Sequence, residues 1–186
     1  VYTTLDSKIN LGAQNAILTG IKRLEKDLKI TPKSSQQRLE GAVAAVEQST
    51  GFIRALVGGK SYSESNFNRI LNMRRQVGST FKPILYLAAI QKRTDEKGVS
   101  IGPGYPIEDA PFSLTYDRGK QKWTPKNYEP EYLGWITLRE ALAHSINTAA
   151  ARLGHEVGTQ EIINTARSLG ISSELPPVPS LALGVA

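Results

Sequence analysis

The feature that most constrains the fold is the apolar segment that follows Gly78 and Ser79. Its apolar positions are nearly continuous: Phe81, Ile84, Leu85, Leu87, Ala88 and Ile90. A helix that is apolar on almost every side is stable only when other elements cover it all round. The segment therefore predicts a central, buried helix over 79–92 with Ser79 at its N-terminus. Pro83 disfavours ideal helical geometry at Lys82, so we expect a distorted first turn.

The residues before this segment predict elements that pack on a core. A strand is expected over 1–6, followed by an amphipathic helix over 8–28 that Asp6 or Ser7 could cap. A polar connector is expected at 31–37. Two short apolar runs around a Gly-containing turn then predict a β-hairpin within 41–59.

The residues after this segment predict an irregular excursion and three helices. Residues 98–135 are rich in Gly and Pro and contain most of the aromatic residues, which is typical of a functional loop or of a small β-excursion on the core. Helices are expected at 137–144, 148–157 and 159–169. Each begins with a threonine that could cap it.

Two short motifs carry possible chemistry, and each is weak by itself. In a helix, the spacing of Ser79 and Lys82 places both side chains on one face, about 5–6 Å apart at Cβ. A lysine kept neutral by burial can accept a serine proton, and a helix N-terminus stabilises negative charge nearby. However, about one Ser-x-x-Lys is expected by chance at this composition. The same weakness applies to Ser145 and Asn147, which are predicted to lie between two helices.

The context of these motifs is specific. Residues 75–83, Arg-Gln-Val-Gly-Ser-Thr-Phe-Lys-Pro, resemble the active-serine segment of the penicillin-binding transpeptidases, in which proline usually stands at the position of Val77. Other segments resemble landmarks of that family in the same order: 2–6, 55–59, 67–69, 123–128, 137–142 and 179–184. Together they resemble the bifunctional, class A members, which also carry a glycosyltransferase domain upstream.

The resemblance implies an α+β fold: a mainly antiparallel sheet flanked by helices on both faces, the fold of serine β-lactamases and penicillin-binding transpeptidases. Residues 1–186 would form the N-terminal portion of one such domain. The implied activity is peptidoglycan D,D-transpeptidation outside the cytoplasmic membrane, with stem peptides as substrates and β-lactams as inhibitors. No run of about 18 apolar residues is present, so a membrane anchor would lie outside this chain.

The resemblance also implies a role for each site residue. Ser79 would be acylated by the penultimate D-Ala of a stem peptide, and its backbone N–H would form part of an oxyanion hole. Lys82 would be the base for acylation. Ser145 would relay a proton to the leaving group, and Asn147 would hold the substrate amide and help to position Lys82.

One family motif is missing. No lysine in the chain is followed by Thr-Gly or Ser-Gly, the motif that in the family binds the substrate carboxylate and completes the oxyanion hole. We therefore expect the C-terminal part of the domain to be absent and this segment alone to be inactive. Two alternatives stay open: a hydrolase on the same scaffold, either a D,D-carboxypeptidase or a β-lactamase, and a non-catalytic β-lactam sensor or cell-wall scaffold.

Other classes of site have little support. The chain has no cysteine, which excludes disulfides and thiolate chemistry. Its net charge of +6 is dispersed rather than gathered into a stripe, so we expect no nucleic-acid partner. Glu108, Asp109 and Asp117 lack metal-ligand spacing, and we expect neither a metal nor a cofactor. His144 and His155 have no nucleophile elbow to serve, which favours surface or packing roles.

Overall fold

The computed structural model describes residues 2–30 and 39–185. The connector predicted at 31–37 lies outside these described residues. The chain divides into two compact units, residues 1–75 and residues 76–186. None of the described helices is both long enough and apolar enough to cross a membrane.

The first unit begins with helix α1, Ser7–Asp27. Of the two caps expected, Asp6 is the one used: its Oδ1 accepts hydrogen bonds from the backbone N–H groups of Lys8 and Ile9, at 2.9 and 3.0 Å. These bonds satisfy two of the N–H groups that a helix leaves unpaired at its start. The apolar face of α1 is buried at Ile17 and Ile21.

The predicted hairpin is present as two antiparallel strands, β1 (Val43–Val46) and β2 (Ile53–Val57). The expectation of a strand at 1–6 is wrong. Residues 2–6 run beside β2, and only the Thr4 hydroxyl and the Asp6 N–H bond to its backbone carbonyls, at 2.8 and 2.9 Å. Two such contacts do not make the repeated backbone ladder of a strand. A single-turn helix, α2 (Arg69–Asn72), follows later in this unit.

The second unit begins with the buried helix. Residues Gly78–Phe81 form a 3-10 turn, and helix α3 continues it from Lys82 to Lys92. The distorted first turn is therefore present, but its location differs from the expectation. Lys82 itself has ordinary helical angles, φ −54° and ψ −40°, and the distortion lies in the residues before it.

Three further helices pack in this unit: α4 (Leu138–Ala143), α5 (Asn147–Val157) and α6 (Thr159–Ser168). Only one of the three expected threonine caps forms. Thr137 caps α4 in a reciprocal capping box with Glu140. The other two expectations are wrong: Thr148 is a buried second residue of α5, and Thr159 makes no capping bond.

The 98–135 excursion contains β-structure. Strand β3 (Pro106–Asp109) pairs with β6 (Gly134–Thr137), and β4 (Leu114–Tyr116) pairs with β5 (Gln121–Trp123). All three strand pairs among the described residues are antiparallel, and each is a separate two-stranded sheet. The prediction of an α+β fold with antiparallel strands, incomplete in this chain, is confirmed.

Helix α3 lies in the core of the second unit. Leu85 and Ala89 are completely buried, and α3 packs on α5 and α6. A second 3-10 turn, Pro179–Leu183, also packs on α5. The close packing of these elements fixes the start of α3 and the 3-10 turn before it, which carry the lysine and the serine of the first motif.

Candidate active site

The centre of the candidate site is the side chain of Lys82, which is 1% exposed. Its Nζ donates hydrogen bonds to three acceptors: the Ser145 carbonyl oxygen at 2.6 Å, Ser145 Oγ at 3.0 Å and Asn147 Oδ1 at 2.7 Å. The two sequence motifs, more than 60 residues apart in the chain, therefore meet at one nitrogen.

Burial changes the acidity of this lysine. Removing the ammonium from water disfavours its charged form and lowers the pKa of Lys82 from 10.5 to about 8. All three acceptors are uncharged groups, so among the residues that the structure describes no carboxylate bonded to Nζ opposes the shift. A side chain with this pKa exists in both protonation states near neutral pH, which is the requirement for general acid–base work.

Ser145 reaches Lys82 because the backbone at the end of α4 turns sharply. Ser145 has φ +53°, in the left-handed region that non-glycine residues seldom occupy. The N–H of Ser145 donates to the Leu142 carbonyl and the N–H of Ile146 to the Ala141 carbonyl, at 3.0 and 2.9 Å. This is the Schellman arrangement, with serine in the position usually held by glycine. Strained residues of this kind are concentrated at functional sites.

Asn147 is the first residue of α5 rather than a loop residue, which corrects the expectation from sequence. Its amide uses both ends: Oδ1 accepts from Lys82, and Nδ2 donates to the Lys126 carbonyl at 2.8 Å. The residue before it, Ile146, provides no side-chain cap for the helix. Asn127 provides one instead, because its Oδ1 accepts from the backbone N–H groups of Asn147 and Thr148, at 3.0 and 3.1 Å.

A buried carboxyl group supports this cap. Asp109 is completely buried, and its Oδ1 accepts from Asn127 Nδ2 at 2.7 Å and also from the Thr148 hydroxyl. Its Oδ2 accepts from the Leu133 backbone N–H at 2.8 Å. Sequence reasoning considered Asp109 only as a metal ligand and Thr148 only as a helix cap, and it did not single out Asn127. The signal that was available is the 123–128 segment, whose resemblance to the family already marked the position of Asn127.

Ser79 lies in the 3-10 turn that precedes α3, and its side chain is exposed. Its carbonyl accepts the backbone N–H of Lys82, which closes the turn. Within the described parts of the chain, the three partners of Lys82 Nζ do not include Ser79 Oγ. The structure thus brings Lys82, Ser145 and Asn147 together and leaves the Ser79 hydroxyl accessible one turn away.

The turn that carries Ser79 is anchored from behind. The Gly78 N–H donates to the Gly184 carbonyl at 3.1 Å, and both glycines have positive φ, +57° and +66°. A Cβ on Gly184 would collide with the backbone of Gly78. Only glycine fits this close approach, so the 179–184 segment fixes the entry to the serine turn.

The two histidines are not part of this site. His144 ends α4, and His155 on α5 lies with its ring centroid 6.4 Å from that of Phe112. No group of three or more residues of the metal-ligating types, close enough to hold a metal ion, is found within 2–30 and 39–185.

Comparison with known proteins shows which family this chain resembles. The family model of the penicillin binding protein transpeptidase domain matches residues 41–177. Penicillin-binding protein 1B of Vibrio cholerae is 37% identical over 185 residues, which cover 99% of this chain and 22% of that protein. The chain thus spans about a fifth of the length of such relatives.

Solved structures agree with the sequence comparison. The crystal structure of penicillin-binding protein 1A from Haemophilus influenzae superposes with a TM-score of 0.71 at 32% identity, covering 79% of this chain and 21% of that one. The PonA1 protein of Mycobacterium tuberculosis, solved in complex with penicillin V, gives a TM-score of 0.72 at 25% identity. That match covers 100% of this chain and 46% of the other.

Proposed function

The chain belongs to the penicillin-binding protein transpeptidase family, and from this membership we propose that it forms the N-terminal portion of a peptidoglycan D,D-transpeptidase domain. This enzyme cross-links stem peptides through an acyl-enzyme on Ser79. The observation that carries the proposal is the buried Lys82 Nζ, bonded to Ser145 and Asn147 beside the serine turn.

In the acylation step, Ser79 Oγ attacks the carbonyl carbon of the penultimate D-Ala. Neutral Lys82 takes the serine proton as the C–O bond forms, and a pKa of about 8 makes the neutral form available near physiological pH. The bond to the terminal D-Ala nitrogen then breaks. The leaving amine receives its proton from the Lys82 ammonium through the Ser145 hydroxyl, which lies 3.0 Å from Nζ.

The contacts of Lys82 fit the second half of this step better than the first. An ammonium has three N–H donors, and three acceptors surround Nζ. The observed arrangement thus suits the protonated lysine, ready to deliver a proton through Ser145. To act as base, Lys82 gives up one of these bonds and turns its lone pair towards Ser79.

In the second step, the amine of a neighbouring stem peptide attacks the acyl-enzyme carbonyl. A new amide bond forms, the ester bond to Ser79 breaks, and the amine proton returns through the lysine to Ser79 Oγ. Asn147 has its Nδ2 bonded to Lys126 and its Oδ1 bonded to Lys82. Asn147 thereby positions the lysine, and in the proposed reaction it also contacts the substrate amide.

A β-lactam would use the same nucleophile. The PonA1 protein, a structural relative at 25% identity, was crystallised with penicillin V. We propose that β-lactams acylate Ser79 in the protein to which this chain belongs, and that the ester then persists because its hydrolysis is slow.

The rest of the site is proposed to come from residues outside this sequence. The Lys-Thr/Ser-Gly motif that would bind the substrate carboxylate is not found in these 186 residues. We also propose that a glycosyltransferase domain and a membrane anchor belong to the same protein, and that the catalytic domain faces the periplasm.

Product analysis tests the proposed reaction. The full-length protein is given a stem-peptide donor and an amine acceptor, and the products are separated by mass. Cross-linked peptide that disappears in Ser79→Ala supports transpeptidation. Release of D-Ala together with hydrolysed donor peptide, and no cross-linked product although the amine is present, would show a hydrolase. Acylation without turnover of any peptide would show a sensor or scaffold.

A further inference from the structure

A polar relay runs from a buried carboxyl group to the lysine of the candidate site. We propose that Asn127, held in one orientation by Asp109, is a positioning residue that fixes the start of α5 and thereby places Asn147 on Lys82. The inference rests on the proposed function, because it assigns Asn127 a part in the same acyl-transfer site. Asn127 acts through Asn147: within the described part of the chain its hydrogen bonds join it to Asp109, Asn147 and Thr148, and none joins it to Ser79 or Lys82.

The first step of the argument is the missing cap of α5. A helix leaves its first N–H groups unpaired, and the capping position here is Ile146, whose side chain cannot accept a hydrogen bond. The amide oxygen of Asn127 accepts from the N–H groups of Asn147 and Thr148 instead. A residue 20 positions earlier in the chain therefore sets where α5 begins.

The second step links that cap to the lysine. Asn147 is held at its backbone by Asn127 and at its side chain by the Lys126 carbonyl, at 3.0 and 2.8 Å. Its remaining amide atom, Oδ1, accepts from Lys82 Nζ at 2.7 Å. A shift of about 1 Å at Asn147 would break this bond and move the lysine relative to Ser79, and a misplacement of that size is enough to slow an enzyme about 100-fold.

The third step is the orientation of Asn127. Both oxygens of the buried Asp109 act as acceptors, and Oδ1 takes the Asn127 NH2 at 2.7 Å. If the Asn127 amide turned over, its oxygen would face an acceptor and its NH2 would face two N–H donors. Both contacts would be lost. Asp109 therefore forces the amide oxygen towards α5.

A polarity exchange tests this relay in the full-length protein. Asn127→Asp keeps an oxygen for the cap but places an acceptor against Asp109. Adding Asp109→Asn restores a donor–acceptor pair of reversed polarity, with Leu133 and Thr148 still able to bond. The measured quantities are the rate constant for acylation by a fluorescent penicillin and, separately, its dissociation constant before acylation. A matched control is Thr165→Val, which removes a buried hydroxyl of α6 outside the relay.

We expect Asn127→Asp to lower the acylation rate constant roughly 10- to 100-fold with little change in penicillin binding. This range corresponds to the loss of one or two buried hydrogen bonds. The double variant should recover most of that loss, and Thr165→Val should acylate like the wild type. An unchanged rate in Asn127→Asp, or no recovery in a folded double variant, would overturn the relay.

If Asn127→Asp does not fold, Thr148→Val replaces it, and its acylation rate constant is compared with that of the control Thr165→Val. A slower acylation in Thr148→Val alone supports the relay, and equal rates in the two valine variants overturn it. Failure of the wild-type protein to be acylated at Ser79 would instead refute the proposed function. That outcome is distinguishable because it appears before any variant of the relay is made.

Discussion

The pH dependence of acylation follows directly from the burial of Lys82. Burial lowers the pKa of this lysine to about 8, so its neutral form, the proposed base, accumulates as the pH rises through that value. The neutral fraction is roughly 1% at pH 6, one half at pH 8 and 90% at pH 9. The rate constant for acylation of Ser79 should therefore rise about 90-fold from pH 6 to pH 9 and then level off.

The assay is single-turnover acylation of the full-length protein by a fluorescent penicillin between pH 6 and pH 10. Ser79→Ala provides the blank. Lys82→Arg provides the second perturbation, because a guanidinium keeps the positive charge but stays protonated throughout this range. We expect Lys82→Arg to acylate about 100- to 10,000-fold more slowly at pH 8, the usual contribution of a general base.

Three results would refute this reasoning. A rate that still rises tenfold per pH unit at pH 10 would mean that burial has not lowered the pKa of Lys82. A flat or falling profile between pH 6 and pH 9 would mean that a neutral lysine is not the base. Acylation of Lys82→Arg at the wild-type rate would exclude proton transfer to this side chain.

Three further predictions concern how the fold supports the site. Gly184→Ala should slow acylation because its Cβ meets the backbone before the serine, whereas Gly170→Ala, with φ +88° and open space, should only lower the free energy of unfolding by about 1–2 kcal/mol. Equal acylation rates in the two variants would contradict this. Thr137→Ala should lower the free energy of unfolding by about 1 kcal/mol because the capping box is lost, and Thr159→Ala should lower it by less than about 0.5 kcal/mol. Urea unfolding measures both values, and equal losses would argue against the capping assignment. Leu153→Ala should lower the free energy of unfolding by about 2–5 kcal/mol, since this side chain is completely buried, and a loss below 1 kcal/mol would contradict its place in the core.

Local patterns were sufficient to predict much of the fold. The nearly continuous apolar run indicated that α3 would be buried, and two short apolar runs around a Gly-containing turn indicated the hairpin of β1 and β2. The threonine caps were less predictable, because a helix start can be capped by a residue distant in sequence. At α5 the capping oxygen comes from Asn127, and Thr148 turns inward to Asp109 instead.

The candidate site divides in the same way. Ser79, Lys82, Ser145 and Asn147 were singled out because short motifs carry them. Asp109 and Asn127, which orient the start of α5, were not recognised as part of the site, because they belong to separate segments that meet α5 only in the folded chain. The left-handed backbone at Ser145 was also unexpected, because no glycine marks that turn.

The central claim is that Ser79 is the nucleophile of a β-lactam-sensitive acyl-transfer site. Intact-mass spectrometry of the full-length protein, before and after treatment with penicillin, tests it most directly. We expect a single penicilloyl mass increase that is lost in Ser79→Ala. No adduct on a protein that contains the Lys-Thr/Ser-Gly motif, or an adduct that persists in Ser79→Ala, would contradict the account.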